Sequence, residues 1–112
     1  MPADRDGYQL RLDARALGLG YRLGSDALLV LLDLAAHATD LPEGTVVAAS
    51  YRDIARRLGT SKDTVGRRIA VLRRVGVVVE RSEPAVERFE VRSYRLHLEL
   101  AGVTREATTA AA

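Results

Sequence analysis

The sequence predicts a mainly α-helical domain with a small antiparallel β-wing, built from one chain of 112 residues. Three observations carry that prediction. Apolar residues recur at the helical period on both sides of a short Gly59-Thr60-Ser61 break. Each of these two stretches opens on a hydroxyl cap, Ser50 or Ser61. Directly after Gly76 comes the β-branched run Val77, Val78 and Val79, and a second strand-like run lies beyond a proline-bearing turn.

Residues 1–7 are short and polar and are expected to be loose. Tyr8, Leu10 and Leu12 alternate with Gln9 and Arg11, as in a short strand or extended arm. A brief helical turn fits Arg15 to Leu19, and Gly18, Gly20 and Gly24 then break regularity. Residues 1–24 therefore read as an N-terminal arm that packs on the domain or exchanges with a second subunit.

Ser25 is the expected cap of the next helix, with Asp26 well placed in its first turn. Residues 27–38, ALLVLLDLAAHA, are apolar nearly all round, interrupted only by Asp33 and His37. Such a helix covers more than one face, either inside the domain or at a homodimer interface. TDLPEG, residues 39–44, is a turn-rich loop, and Thr45 to Ala49 is a short strand candidate.

Ser50 and Asp53 form a capping-box pattern for the first motif helix, whose apolar face is Ile54, Ala55 and Leu58. Gly59 stops it in the left-handed conformation a C-terminal cap needs. Ser61 caps the second helix, with Val65, Ile69 and Leu72 as its stripe, and Gly76 ends it. Val77 to Arg81 is a strand, residues 82–87 with Pro84 make the hairpin loop, and Phe89 to Leu98 is the returning strand. The alternation shifts phase at Ser93, which predicts a bulge or bend. Residues 99–112 show no packing pattern and read as a disordered tail, which leaves residues 25–98 as the folded domain.

Composition narrows the function. Without cysteine there is no disulfide framework and no thiolate nucleophile or metal ligand. His37 and His97 are too far apart in sequence to suggest a metal cluster. The chain also lacks a glycine-rich phosphate loop and a nucleophile–base signature, so neither an enzyme nor a cofactor is expected. With no signal-like start and no apolar run of membrane length, a cytoplasmic protein is expected, on the nucleoid when bound to DNA. Arginine far exceeds lysine, of which Lys62 is the single copy; this bias is similar to that of proteins from high-GC bacteria.

Charge is unevenly placed. Residues 51–81 carry nine basic and three acidic side chains, a net of +6, whereas the whole chain is +2, so the remainder carries −4. A positive helix pair in an otherwise acidic chain points to a phosphate backbone as partner.

The run IARRLGTSKDTVGRRIAVLRRVGVV resembles the winged helix-turn-helix modules of GntR-type and MarR-type regulators and of replication initiators. Ala55, Gly59, Ser61, Thr64, Val65, Ile69, Leu72 and Gly76 carry the resemblance. It implies sequence-specific binding of double-stranded DNA, as in a transcription regulator, with helix 61–75 in the major groove. It also implies DNA contacts at the start of that helix, from Ser61, Lys62 and Thr64. The alternative is a protein-interaction winged helix in a replication or partition assembly.

Helical phase distributes the roles further. Asp63, Gly66, Arg67, Ala70 and Arg74 fall opposite the apolar stripe. Arg67 is the leading base-reading candidate, since arginine pairs bidentately with guanine. Asp63 either accepts from cytosine or serves the helix dipole, and Gly66 permits close approach. Arg68 lies on the shoulder of the core face and is expected to snorkel. Arg52, Arg56 and Arg57 on the first motif helix are phosphate candidates. Arg81 and Arg88 flank the wing loop, where Glu83, Glu87 and Glu90 dilute the charge.

Overall fold

The computed structural model describes residues 8–81 and 91–107. Its centre is a three-helix core formed by α2 (Ser25–Ala36), α3 (Tyr51–Leu58) and α4 (Lys62–Arg74). Ile54 of α3, Leu31 of α2 and Val65, Ile69 and Leu72 of α4 are all buried. A four-stranded antiparallel sheet closes one side, in the order β2 (Thr39–Leu41), β3 (Gly44–Ser50), β5 (Val91–Leu96), β4 (Val78–Glu80). This architecture is consistent with a winged helix, β4 and β5 standing where the wing hairpin is expected. The hairpin loop, with Pro84, Arg88 and the three glutamates, lies outside the described residues.

The motif helices end as their sequence dictates. Ser50 Oγ accepts the Asp53 N–H and Ser61 Oγ accepts the Thr64 N–H, each satisfying an orphan donor of a first turn. Gly59 adopts φ 71° and Gly76 φ 84°. At the end of α4 the Val77 and Gly76 N–H groups bond to the Leu72 and Arg73 carbonyls at 3.2 and 3.1 Å, the paired bonds of a Schellman stop.

Several expectations are corrected. The brief turn near residue 15 is a ten-residue helix, α1 (Ala14–Leu23), capped by Asp13, whose carboxylate accepts the Arg15 N–H. Gly20 lies inside α1 because a Cβ there would press on Leu28 of α2 at 3.3 Å, so the glycine lets the two helices approach. The cap of α2 is Gly24, and Ser25 is its first helical residue. The loop at residues 39–44 contains β2, which folds back on β3. No bulge occurs at Ser93: β5 pairs continuously with β3 from Val91↔Ser50 to Leu96↔Thr45. Tyr94 and Leu96 face the core, and the odd-numbered residues lie on the sheet's other face.

Residues 8–24 and 99–107, expected as arm and tail, are parts of the domain; residues 1–7 and 108–112, expected to be loose or disordered, lie outside the described residues. β1 (Tyr8–Leu12) pairs antiparallel with β6 (Val103–Ala107), and a 3₁₀ turn, Leu98–Ala101, leads into β6. Leu98, Ala101 and Val103 are buried against the core. Arg105 of β6 closes the end of α2: Nε and Nη2 donate to the Ala35 and Ala38 carbonyls at 2.9 and 2.6 Å, and Nη1 lies 2.7 Å from Asp40 Oδ1. These contacts, with α1, α3 and α4, cover most of α2 within one chain, and of its large apolar residues only Leu29 is exposed.

Candidate nucleic-acid interface

The two faces of α4 separate as its periodicity predicts. Val65, Ile69 and Leu72 are buried, while Asp63, Arg67, Ala70 and Arg74 are exposed on the far side. That outer face forms one wall of an open groove of about 510 Å³ between α4, the start of α3 and β5. Five predicted residues, Arg52, Lys62, Asp63, Gly66 and Arg67, meet in it, beside Tyr51, Ala70 and Arg92. Four cations against one acid in the groove make a surface suited to an anionic polymer.

Two lining residues, Tyr51 and Arg92, were not anticipated. Arg92 alternates with Tyr94 and Leu96 on the same face of β5, and it pairs across the ladder with Ala49. Towards the start of β5 that face runs past the core and into the groove, so a continuous strand phase through Ser93 points to Arg92. Arg92 also reaches Glu80 at 3.4 Å.

Tyr51 explains Gly66. A Cβ at Gly66 would lie 3.3 Å from Tyr51 Cε2, tighter than ordinary contact. The close approach that glycine permits is therefore that of the Tyr51 ring to α4. Tyr51 is held at its other end by a short hydrogen bond between its hydroxyl and that of Tyr94, which is fully buried. Burial, together with that bond, pushes the Tyr94 phenol far above its ordinary pKa, so Tyr94 stays uncharged.

The start of α4 is braced internally. Besides capping Thr64, Ser61 Oγ donates to Thr64 Oγ1 at 3.0 Å, and Arg67 Nη2 donates to that same oxygen at 3.3 Å. Ser61 and Thr64 thus orient Arg67 from the turn before it. Lys62 and Asp63 are exposed at the groove mouth.

Other predicted positions lie elsewhere. Arg57 donates two hydrogen bonds to Asp33 of α2, and bonding to the carboxylate raises the arginine's pKa further. Its guanidinium ties α3 to α2 and is not in the groove. Arg81 is directed to the sheet, donating to Ser93 Oγ and Glu43 Oε2. Arg56 is exposed near the end of α3 and pairs with Asp53 at 3.2 Å. Arg74 lies beyond Ala70 with Arg73, along a second groove beside β4. Arg68 does not snorkel freely: its Nε lies 2.9 Å from Asp26 Oδ2. Arg88 lies outside the described residues.

No helix among the described residues is long and apolar enough to cross a membrane. No curated protein and no solved structure matches the chain. A family model described as a helix-turn-helix domain matches residues 21–78, which span α2, α3 and α4 and reach the first residue of β4. That match covers more than half of the sequence and includes the two capped helices, α3 and α4, that line the cationic groove; the chain belongs to the helix-turn-helix domain family.

Proposed function

We propose that the chain binds double-stranded DNA sequence-specifically, as a transcription regulator, with α4 in the major groove. One observation carries this reading: the exposed face of α4 aims Arg67 and Lys62 into a groove that Arg52 and Arg92 also line. A helix in the major groove reads base edges from its N-terminal half, where Lys62, Asp63 and Arg67 sit. Arg56, outside the groove, is a candidate for the backbone. The reading is of a DNA-binding module without catalytic activity.

Binding as a homodimer to an inverted repeat is part of the same proposal. Its support rests on α1 rather than α2. Leu17 and Tyr21, four residues apart on α1, are 60% and 84% exposed. Selection from a random duplex library, followed by affinity against salt, tests the whole reading. The expected result is an enriched site and a log–log salt slope of several units. Equal, salt-insensitive affinity for selected and scrambled duplexes refutes it and favours a protein-docking role.

A further inference from the structure

The groove beside α4 is cationic at its rim but apolar at its floor. The ring of Tyr51 lies against Gly66, and Ala70 is exposed one turn further along α4. A side chain at Gly66 would crowd the ring, with its Cβ 3.3 Å from Tyr51 Cε2, and the hydroxyl bond to buried Tyr94 holds the ring's far end. The floor is therefore preformed and offers carbon surface with its nearest hydroxyl already engaged. Phosphate gains nothing from such a surface, and neither does a polar base edge. In the major groove, the one apolar group presented by the bases is the C5-methyl of thymine.

We propose that Tyr51, Gly66 and Ala70 form a seat for a thymine methyl group, placed next to the base pair that Arg67 reads. This inference rests on α4 entering the major groove, and it adds a named base to that reading. Arg67, braced by Thr64, gives hydrogen-bonded readout on one side of the floor. The floor itself discriminates by shape and hydration: a thymine C5-methyl fills it, whereas cytosine, with only hydrogen at C5, leaves it unfilled.

The test uses the full chain and its selected duplex. Each thymine in the site is replaced in turn by deoxyuridine, which removes only the methyl; an identical replacement outside the footprint serves as the control. The expected result is one thymine per half-site whose methyl is worth about three- to five-fold in affinity, the scale of burying one such group. Ala70→Ser puts a hydroxyl on the floor at an exposed helix position, where folding is unaffected. In that variant the uridine penalty at that thymine is expected to fall below about two-fold, the coupling that neighbouring groups show. Duplex binding with no methyl-sensitive position overturns the seat and leaves the DNA reading intact. A penalty unchanged by Ala70→Ser also overturns the seat, by placing the methyl elsewhere. Failure of the wild-type chain to bind any duplex overturns both.

Discussion

Arg57 holds Asp33 with two parallel hydrogen bonds, Nε to Oδ2 at 2.9 Å and Nη2 to Oδ1 at 2.7 Å. The carboxylate is only 8% exposed while the guanidinium keeps contact with solvent. The pair spans α2 and α3, so it fixes the angle at which the first motif helix leaves the core. Bidentate geometry makes it stronger than an ordinary surface ion pair.

Removing the arginine leaves a shielded carboxylate without its main partner. Arg57→Ala is therefore expected to cost about 1–3 kcal/mol of stability, between the values for exposed and fully buried pairs. Its effect on DNA should follow folding alone: once the variant is folded, the salt slope stays at the wild-type value. Urea denaturation alongside affinity titrations checks both halves. A shallower slope with unchanged stability returns Arg57 to the phosphate-binding set.

The two faces of α4 give a second prediction. Ile69 is 1% exposed and packs among Val65, Leu72 and Ile54, so Ile69→Ala is expected to cost about 2–5 kcal/mol. Arg67→Ala removes an exposed side chain and one hydrogen bond to Thr64, and is expected to change stability by about 0.5 kcal/mol or less. Thermal melts of the two variants decide it, and the reverse order of stabilities would falsify the helical phase on which the interface depends.

What could be read in the sequence follows the range of the interactions. The boundaries of α3 and α4 were legible because cap, stripe and stop are all local: Ser50 to Asp53, Ser61 to Thr64, and glycine after the last apolar residue. The terminal sheet was not: alternation at Tyr8, Leu10 and Leu12 marks a strand but not its partner, and Arg11 meets Glu106 across 95 residues. At α1, Gly18 and Gly20 argued against a helix, but Gly20 serves the packing on Leu28. Position on α4 predicted Asp63, Gly66 and Arg67 in the groove. The other arginines were indistinguishable by charge. Arg57 and Arg81 are engaged by Asp33 and Glu43, partners 24 and 38 residues away that only the fold supplies.

The paired termini lead to a third prediction. The Arg105 side chain is only 3% exposed and spans the Ala35 and Ala38 carbonyls and Asp40. Truncating it takes a charged donor from the Ala38 carbonyl and from the Ala35 carbonyl, which keeps a 3.4 Å bond from the Ala38 N–H, and removes the cation beside Asp40. Arg105→Ala is expected to cost about 2–3 kcal/mol, the range for charge-assisted bonds. Lysine has one ammonium in place of a planar fork, so Arg105→Lys should recover less than half of the loss. Midpoints in guanidinium give the comparison. Wild-type stability in Arg105→Ala means that the Arg105 side chain contributes nothing to holding α2.

The last prediction separates base reading from charge. Arg67 stands in the groove, oriented by Thr64, in the half of α4 that reaches base edges. Arg56 stands outside it on α3, exposed and paired with its helix neighbour Asp53. Base contacts specify and phosphate contacts position. Arg67→Ala is accordingly expected to weaken the selected site by about 1–3 kcal/mol and to relax preference at one base pair. Arg56→Ala is expected to weaken selected and scrambled sites alike and to make the salt slope shallower by about one unit. Arg57→Ala serves as the control, since its guanidinium is held by Asp33. The measurement is affinity at four or more salt concentrations for both duplexes, in wild type and the three variants. If Arg67→Ala lowers both duplexes equally while Arg56→Ala abolishes the preference, α3 rather than α4 is the reading helix. Equal slopes in wild type and Arg56→Ala instead show that the backbone is held elsewhere, with Arg52 and Arg92 at the groove rim as the next positions to replace.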